Sequence, residues 1–322
     1  MSDFTSEFWS WFIIAISGGG IVWLFFLLRG TNKAETEQGV PTGHVWDEDL
    51  HELNNPLPRW WLWTFYATIV FSLGYVLYYP AIPLLEASTM GISGSTNRSE
   101  LAIQMAAVEK AHQSTIERLE ATELEQISAD ATLGRFATAG GASLFKVHCS
   151  QCHGSGAAGS AGYPNLNDDD WLWGGDLDAI YTTIKHGIRN GEDDDARDSM
   201  MPSFGGDELL EPEEIAAVVE YVLQASGGTF DAEQAPAGRE IFADNCASCH
   251  GDDGRGDREF GAPNLVDSIT LYGADRASLR RQINRPKHGV MPAWNGRLTD
   301  AGIKQLAIYV HGLGGGEKAK AE

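Results

Sequence analysis

Cysteine is scarce in this chain. The four cysteines among 322 residues all lie in two short stretches, Cys149-Ser-Gln-Cys152-His153 and Cys246-Ala-Ser-Cys249-His250. No thiol is left over for a disulfide, a separate zinc site or a nucleophile. Positive charge is short as well. Lysine and arginine total 23 against 45 aspartates and glutamates, a formal charge of −22, and the first basic residue is Arg29. So acidic a chain argues against binding nucleic acid, which relies on neutralising phosphates. Charge of either sign is missing from two long runs, Phe8–Leu28 and Trp60–Leu85. Each is long enough to cross the hydrocarbon of a bilayer, and each exceeds what a core helix needs.

Cys-x-x-Cys-His is the attachment sequence of c-type haem. The two thiols add across the vinyl groups, and the adjacent histidine becomes an axial ligand. Two such motifs predict two covalent haem c groups, held by Cys149 and Cys152 with His153, and by Cys246 and Cys249 with His250. An electron-carrying haem of this kind usually takes a thioether opposite the histidine, which raises its potential. Two of the six methionines sit in matching settings, Met201-Pro202-Ser203-Phe204 and Met291-Pro292-Ala293-Trp294. They follow the nearest upstream motif histidine by 48 and 41 residues, so Met201 is expected opposite His153 and Met291 opposite His250. Proline after the ligand stiffens the loop that presents the sulfur. Methionine ordinarily fills cores, and Met200 is the rival at the first site, without the following proline. His148, His186, His288 and His311 are alternative ligands, each better read as a loop or surface residue. With both axial positions filled, neither iron is open to oxygen or peroxide, which points to electron relay.

The motifs head an internal repeat. Gly141-Ala-Ser-Leu-Phe145 and Gly238-Arg-Glu-Ile-Phe242 stand four residues before Cys149 and Cys246. Tyr163-Pro164-Asn165-Leu166 and Ala262-Pro263-Asn264-Leu265 follow the histidines. Each unit closes on a helical pattern, Glu213–Gln224 and Asp300–Gly312, with Tyr221-Val222 and Tyr309-Val310 in equivalent places. A repeat near 90 residues is too long for a solenoid and reads as a duplicated small helical domain. It resembles the class I cytochrome c fold over residues 135–226 and 232–315. That resemblance implies that the carbonyls of Pro164 and Pro263 accept a hydrogen bond from the ligand histidines. Ala225–Thr229 is the expected hinge between the two domains.

The expected architecture is all-α: two N-terminal transmembrane helices followed by two tandem class I cytochrome c domains. The boundaries are a first span within 1–30, a loop 31–59, a second span 60–85, a connecting helix 86–134, the two domains, and a flexible tail 316–322. No basic n-region precedes Phe8, so the first span reads as a retained anchor rather than a cleaved signal peptide. Arg29, Lys33 and Arg59 flank or lie in the loop, and the N-terminal tail carries no basic residue. The positive-inside rule puts that loop in the cytoplasm. The haem domains then face the periplasm, where bacterial c-type haem is attached. In the connecting helix Leu101, Met105, Val108, His112, Ile116 and Leu119 follow helical spacing. They read as one face of a solvated helix or as a stripe that docks on a partner.

The stretch His44-Val-Trp-Asp-Glu-Asp-Leu-His-Glu-Leu-Asn-Asn-Pro-Leu-Pro-Arg-Trp-Trp61, running on to Tyr78-Tyr79-Pro80, is more specific than either haem motif. It resembles the N-terminal domain of the dihaem subunit, subunit III, of cbb3-type cytochrome c oxidases. With the two haem units, the resemblance spans nearly the whole chain. Two departures are a first helix ahead of the signature and Glu48 where a glycine is common. The resemblance implies an electron-transfer subunit of the bacterial inner membrane. It would take electrons from a donor cytochrome c and pass them to a monohaem cytochrome c subunit. The catalytic haem–copper subunit then reduces oxygen, and this chain catalyses none of that step. Other dihaem assemblies, such as a nitric oxide reductase, an alcohol dehydrogenase or a quinol-oxidising complex, share the haem motifs but not the signature. A dihaem peroxidase would need an open iron. Asp168-Asp169-Asp170 and Glu192-Asp193-Asp194-Asp195 suit steering of a basic donor, or simply a solvated acidic surface.

Overall fold

The computed structural model describes residues 6–31, 39–53, 55, 58–79, 91–267 and 269–318. Lys33, Asn54, Pro56 and Leu57 of the loop, the stretch from Pro80 through Glu86, and the last four residues lie outside these. The chain divides into two compact units, residues 1–111 and 112–322.

In the first unit, α1 (Glu7–Thr31) and α2 (Arg59–Tyr78) are the two helices long and apolar enough to cross a membrane. Phe8, Trp11, Trp23 and Phe26 of α1 and Trp60, Trp63 and Phe71 of α2 are exposed. So much outward-facing apolar surface suits lipid, not water. The two helices meet at the Phe25 and Tyr66 rings, 6.0 Å apart. α2 stops at Tyr79, which is extended (φ −101°, ψ 156°). Proline at 80 disfavours the α region for its predecessor, so the regular helix is shorter than the uncharged run. Between the helices the all-α expectation fails. Here β1 (Pro41–Trp46) and β2 (Leu50–Leu53) form an antiparallel hairpin, with Trp46 opposite Leu50. Its turn puts Asp47 and Glu48 at φ +49° and +70°. Left-handed backbone favours glycine, so Asp47 and Glu48 hold this turn at a conformational cost.

The connecting region is α3 (Asn97–Glu120), a turn, and α4 (Leu124–Ala129). Of its apolar stripe, Leu101, Met105 and Val108 are exposed, whereas Leu119 is completely buried. The stripe therefore joins a core only at its C-terminal end.

The second unit holds α5 (Ala131–His148), α6 (Ser150–His153), α7 (Leu177–His186), α8 (Pro212–Ala225), α9 (Ala235–Asn245), α10 (Ala247–His250), α11 (Arg276–Asn284) and α12 (Asp300–His311). The repeat is visible in matching details. Asp176 and Asp275 cap α7 and α11, accepting backbone N–H groups, and each follows a loop glycine at φ +97° or +99°.

The repeats do not each close on themselves. α5 of the first repeat packs on α12 of the second, and α8 of the first packs on α9 of the second. One core joins Leu133, Ala137 and Phe145 with Ile180, Ile184, Ile303, Leu306 and Val310, and takes in Leu119 and Ile127. The other joins Ile215, Val218 and Val222 with Phe242 and Ile283. We call these the first and second lobes. At each helix crossing a glycine admits the partner. A Cβ on Gly141 would meet Gln305 O at 2.1 Å, and one on Gly238 would meet Ala217 O at 1.9 Å. One turn along, Phe145 stacks near Tyr309 (5.4 Å) and Phe242 near Tyr221 (5.1 Å). Burying each Phe contributes about 2–3 kcal/mol.

This arrangement overturns the hinge expected at Ala225–Thr229. That segment is the turn between two helices of one lobe. It is pinned where Arg276 donates to Glu220 (2.5 and 2.8 Å) and to Thr229 O (3.1 Å), and where Asp231 N donates to Glu220 (2.7 Å). The C-terminal tail also starts fixed: Glu317 pairs with Arg258 (2.6 Å) and accepts from Gly175 N (3.0 Å).

Candidate haem sites

Each Cys-x-x-Cys-His motif leaves its long helix at the first cysteine and forms one short turn, α6 or α10. A glycine at φ +79° (Gly154) or +77° (Gly251) ends that turn and sends the chain back. The Nδ1 of His153 lies 3.1 Å from Pro164 O, and that of His250 lies 3.1 Å from Pro263 O. A carbonyl only accepts, so Nδ1 carries the proton and donates. Nε2 is thereby left with a lone pair, the form that binds a metal. Burial lowers both histidine pKa values, partly opposed by the proline carbonyl, and this keeps the rings neutral.

The four cysteines are free thiols. Burial, and then the neighbouring Cys152, pushes the Cys149 thiol up to about 11, and burial with Cys249 does the same at Cys246. Two thiols per turn beside a histidine with free Nε2 fit a covalently attached haem. Trp173 adds to that fit. Its Nε1 is one of two buried side-chain polar atoms without a partner among the described residues, and an acidic group such as a haem propionate would satisfy it.

The exchange of halves decides where the candidate sixth ligands stand. Met291 and Trp294 pack against the first core, alongside Cys149. Met201 packs against the second, alongside Cys246. Met291 exchanges two backbone hydrogen bonds with Ile188, both 2.9 Å, and Trp294 N donates to Lys185 O at the end of α7 (3.1 Å). Trp294 also lies 5.3 Å from the ring of His148, next to Cys149. In the second lobe Phe204 N donates to Ile283 O (3.2 Å) and Ser203 Oγ to Asn284 O (2.8 Å), at the end of α11. Met291 therefore shares a core with His153's motif, and Met201 with His250's, rather than each methionine with its nearest upstream histidine. Met200 points out, 64% exposed, and has no such setting.

The alternative histidines have other partners. His186 donates Nδ1 to Asp193 (3.1 Å), His288 Nε2 donates to Met201 O (3.2 Å), and His311 Nε2 donates to Glu317 O (2.7 Å). Sequence reasoning passed over Asn190, which donates to Met291 O (3.2 Å), and Gly187, where a Cβ would meet Met291 O at 2.4 Å. The cue available was His186-Gly-Ile-Arg-Asn190, a helix end followed by turn residues.

The acidic runs are partly internal. Asp193 is nearly buried, and Glu192 pairs with Arg297 (2.9 Å). Where loops of the two lobes meet, a cavity of about 640 Å³ is lined by Asp169, Asp170, Trp171, Arg258 and Asp267. Burial first, then Asp267, Asp168 and Asp169, push the Asp170 carboxyl up to about 6 against the pull of Arg258.

Comparison with known proteins identifies the family. Residues 38–86 match the family described as the N-terminal domain of cytochrome oxidase-cbb3, FixP. Residues 136–222 and 233–310 each match the cytochrome c oxidase, cbb3-type, subunit III family. The chain is 54% identical over 285 residues to the cbb3-type cytochrome c oxidase subunit CcoP of Cereibacter sphaeroides, covering 88% of this chain and 98% of that protein. It is 50% identical to subunit FixP of Sinorhizobium medicae (86% and 94%) and 47% identical to CcoP of Rhodobacter capsulatus (90% and 99%). The chain belongs to the subunit III family of cbb3-type cytochrome c oxidases, the electron-transfer subunits that carry cytochrome c domains.

Proposed function

We propose that the chain carries two haem c groups and relays electrons along the outer face of a bacterial inner membrane. One haem is held by Cys149 and Cys152 with His153 and Met291 as axial ligands. The other is held by Cys246 and Cys249 with His250 and Met201. The observation that carries this reading is the packing of each Met-Pro loop into the core that holds the other repeat's motif. The haem c groups supply one-electron oxidation and reduction. The chain supplies neutral imidazoles oriented by Pro164 and Pro263, thioethers that favour a higher potential, and closed sixth positions that keep oxygen away from these irons. The functional domains are then the two lobes, residues 119–186 with 288–311, and residues 201–285. Each lobe draws on both linear repeats, 135–226 and 232–315.

Both α1 and α2 span the bilayer in this reading. Arg29 and Arg59 place the loop between them in the cytoplasm and the haem lobes in the periplasm. Electrons arrive from a donor cytochrome c and leave to the monohaem cytochrome c subunit, and from there reach the catalytic haem–copper subunit.

Purification through a tag on this chain in mild detergent tests the assignment. The expected result is two covalent haems per chain, co-purifying haem b and copper, and cyanide-sensitive oxygen uptake. Two haem c groups without copper or oxygen uptake would instead support a dihaem carrier of another membrane complex.

A further inference from the structure

The two candidate thioether loops are fastened differently. The methionine follows the N-cap of the last helix before it by 25 positions in the first repeat (Asp176 to Met201) and by 16 in the second (Asp275 to Met291). The extra length is the acidic loop after α7. It reads as solvated charge, yet Asn190 and Asp193 are turned inward. Asn190 Nδ2 donates to His186 O (2.8 Å) and to Met291 O (3.2 Å), while its Oδ1 accepts from the backbone of Glu192 (2.8 Å) and Asp193 (3.1 Å). The Asp193 carboxylate, 10% exposed, accepts from His186 Nδ1 (3.1 Å to either oxygen), from Asp195 N (2.8 Å) and from the Asn295 side chain. Glu192 reaches Arg297, whose guanidinium lies 5.8 Å from the Trp294 ring. The loop therefore grips Met291 itself and residues 295 and 297 just after the Met-Pro turn. Gly187, at φ +71°, lets the backbones approach. In the second lobe, the Met201 carbonyl accepts from the exposed His288 (3.2 Å), and no such loop is present.

We infer that the Asn190–Asp195 loop is a clamp that keeps the Met291 sulfur on its iron, with Asn190 and Asp193 as positioning residues. This rests on Met291 being a ligand. With haem bound, the clamp would hold the Met291 sulfur in place and so oppose its displacement by an outside ligand. Partners that orient a metal ligand commonly contribute 10–100-fold in affinity. Removing the clamp should speed displacement of sulfur by a similar factor at this site alone.

The test uses the full-length oxidised dihaem protein and imidazole as probe. Imidazole nitrogen replaces the thioether sulfur on iron, no electron is transferred, and the far-red sulfur-to-iron band decays. Asn190→Ala and Asp193→Ala should each make half of that band decay roughly 10–100-fold faster, with both covalent haems retained. Asp193→Asn keeps the volume of the side chain and should give a smaller acceleration, so a folding defect in the alanine variants does not remove the test. Asp194→Asn, an equal charge change at an exposed neighbour, should leave the rate unchanged. Combining Asp193→Ala with Met291→Ala should remove the fast phase, and combining it with Met201→Ala should keep it. Unchanged rates in the Asn190 and Asp193 variants, with Met291→Ala still opening one haem, would overturn the clamp and leave the ligand standing. If Met291→Ala left the band whole, the ligand assignment itself would be wrong.

Discussion

The second lobe is assembled from one continuous stretch, residues 201–285, while the first waits for a helix from the end of the chain. Both have the same plan: a motif helix, an N-capped helix, a Met-Pro loop and a closing helix crossed at a glycine. They differ in who supplies the last two parts. In the second lobe the loop and α8 precede the motif. In the first, Met291 and α12 arrive after the whole second lobe, and the core is enlarged by Leu119 and Ile127. The difference teaches that haem binding and chain order are separable. It also makes the lobes unequal in what they depend on: the first needs distant segments, and the second closes locally.

The largest expected effect comes from removing one haem. Replacing Cys149 and Cys152 by serine should strip hydrogen-exchange protection from residues 131–186 and also from 288–311, because small lobes bury little core without their cofactor. Residues 201–285 should stay protected. Loss of protection confined to 135–226 would mean that the repeats close linearly. The glycine crossings come next. Gly141→Ala should cost the first lobe about 3 kcal/mol and Gly238→Ala the second about as much, since each Cβ meets a backbone carbonyl that cannot step aside. Thermal unfolding followed at each haem band would show one lobe melting early per variant. Equal shifts in both lobes would argue against separate cores.

The smallest effect concerns charge where the lobes meet. A carboxyl whose pKa is raised to about 6 favours the fold when protonated. That contribution is complete below the ordinary value near 3.8 and is lost as pH rises through about 6. Asp170→Asn should therefore raise the melting temperature at pH 7 and flatten its dependence between those pH values. An unchanged profile would remove Asp170 from the account.

Much of the site was legible beforehand. Cys149, Cys152 and His153 must be contiguous for covalent attachment and ligation, so spacing alone pointed to them, while the resemblance to the class I cytochrome c fold pointed to both prolines. The spans were legible because lipid tolerates no charge over twenty residues. The exchange of halves was not. Gly141 and Gly238 face tyrosines at equivalent places, Tyr309 and Tyr221, so a repeat closing on itself and one closing on its neighbour write the same sequence. The hairpin at Pro41–Leu53 was hidden because a short exposed ribbon buries nothing and leaves no alternation to read. Asp193 was misread with its neighbours because a run of four acids hides the one that turns inward.

The most direct test keeps a single haem. In a full-length protein with Cys246 and Cys249 replaced by alanine, only the haem at Cys149 and Cys152 remains, and the far-red thioether band reports its sixth ligand alone. The account predicts that Met291→Ala abolishes this band and that Met201→Ala leaves it intact. The opposite outcome would return each methionine to its own repeat and contradict the exchange.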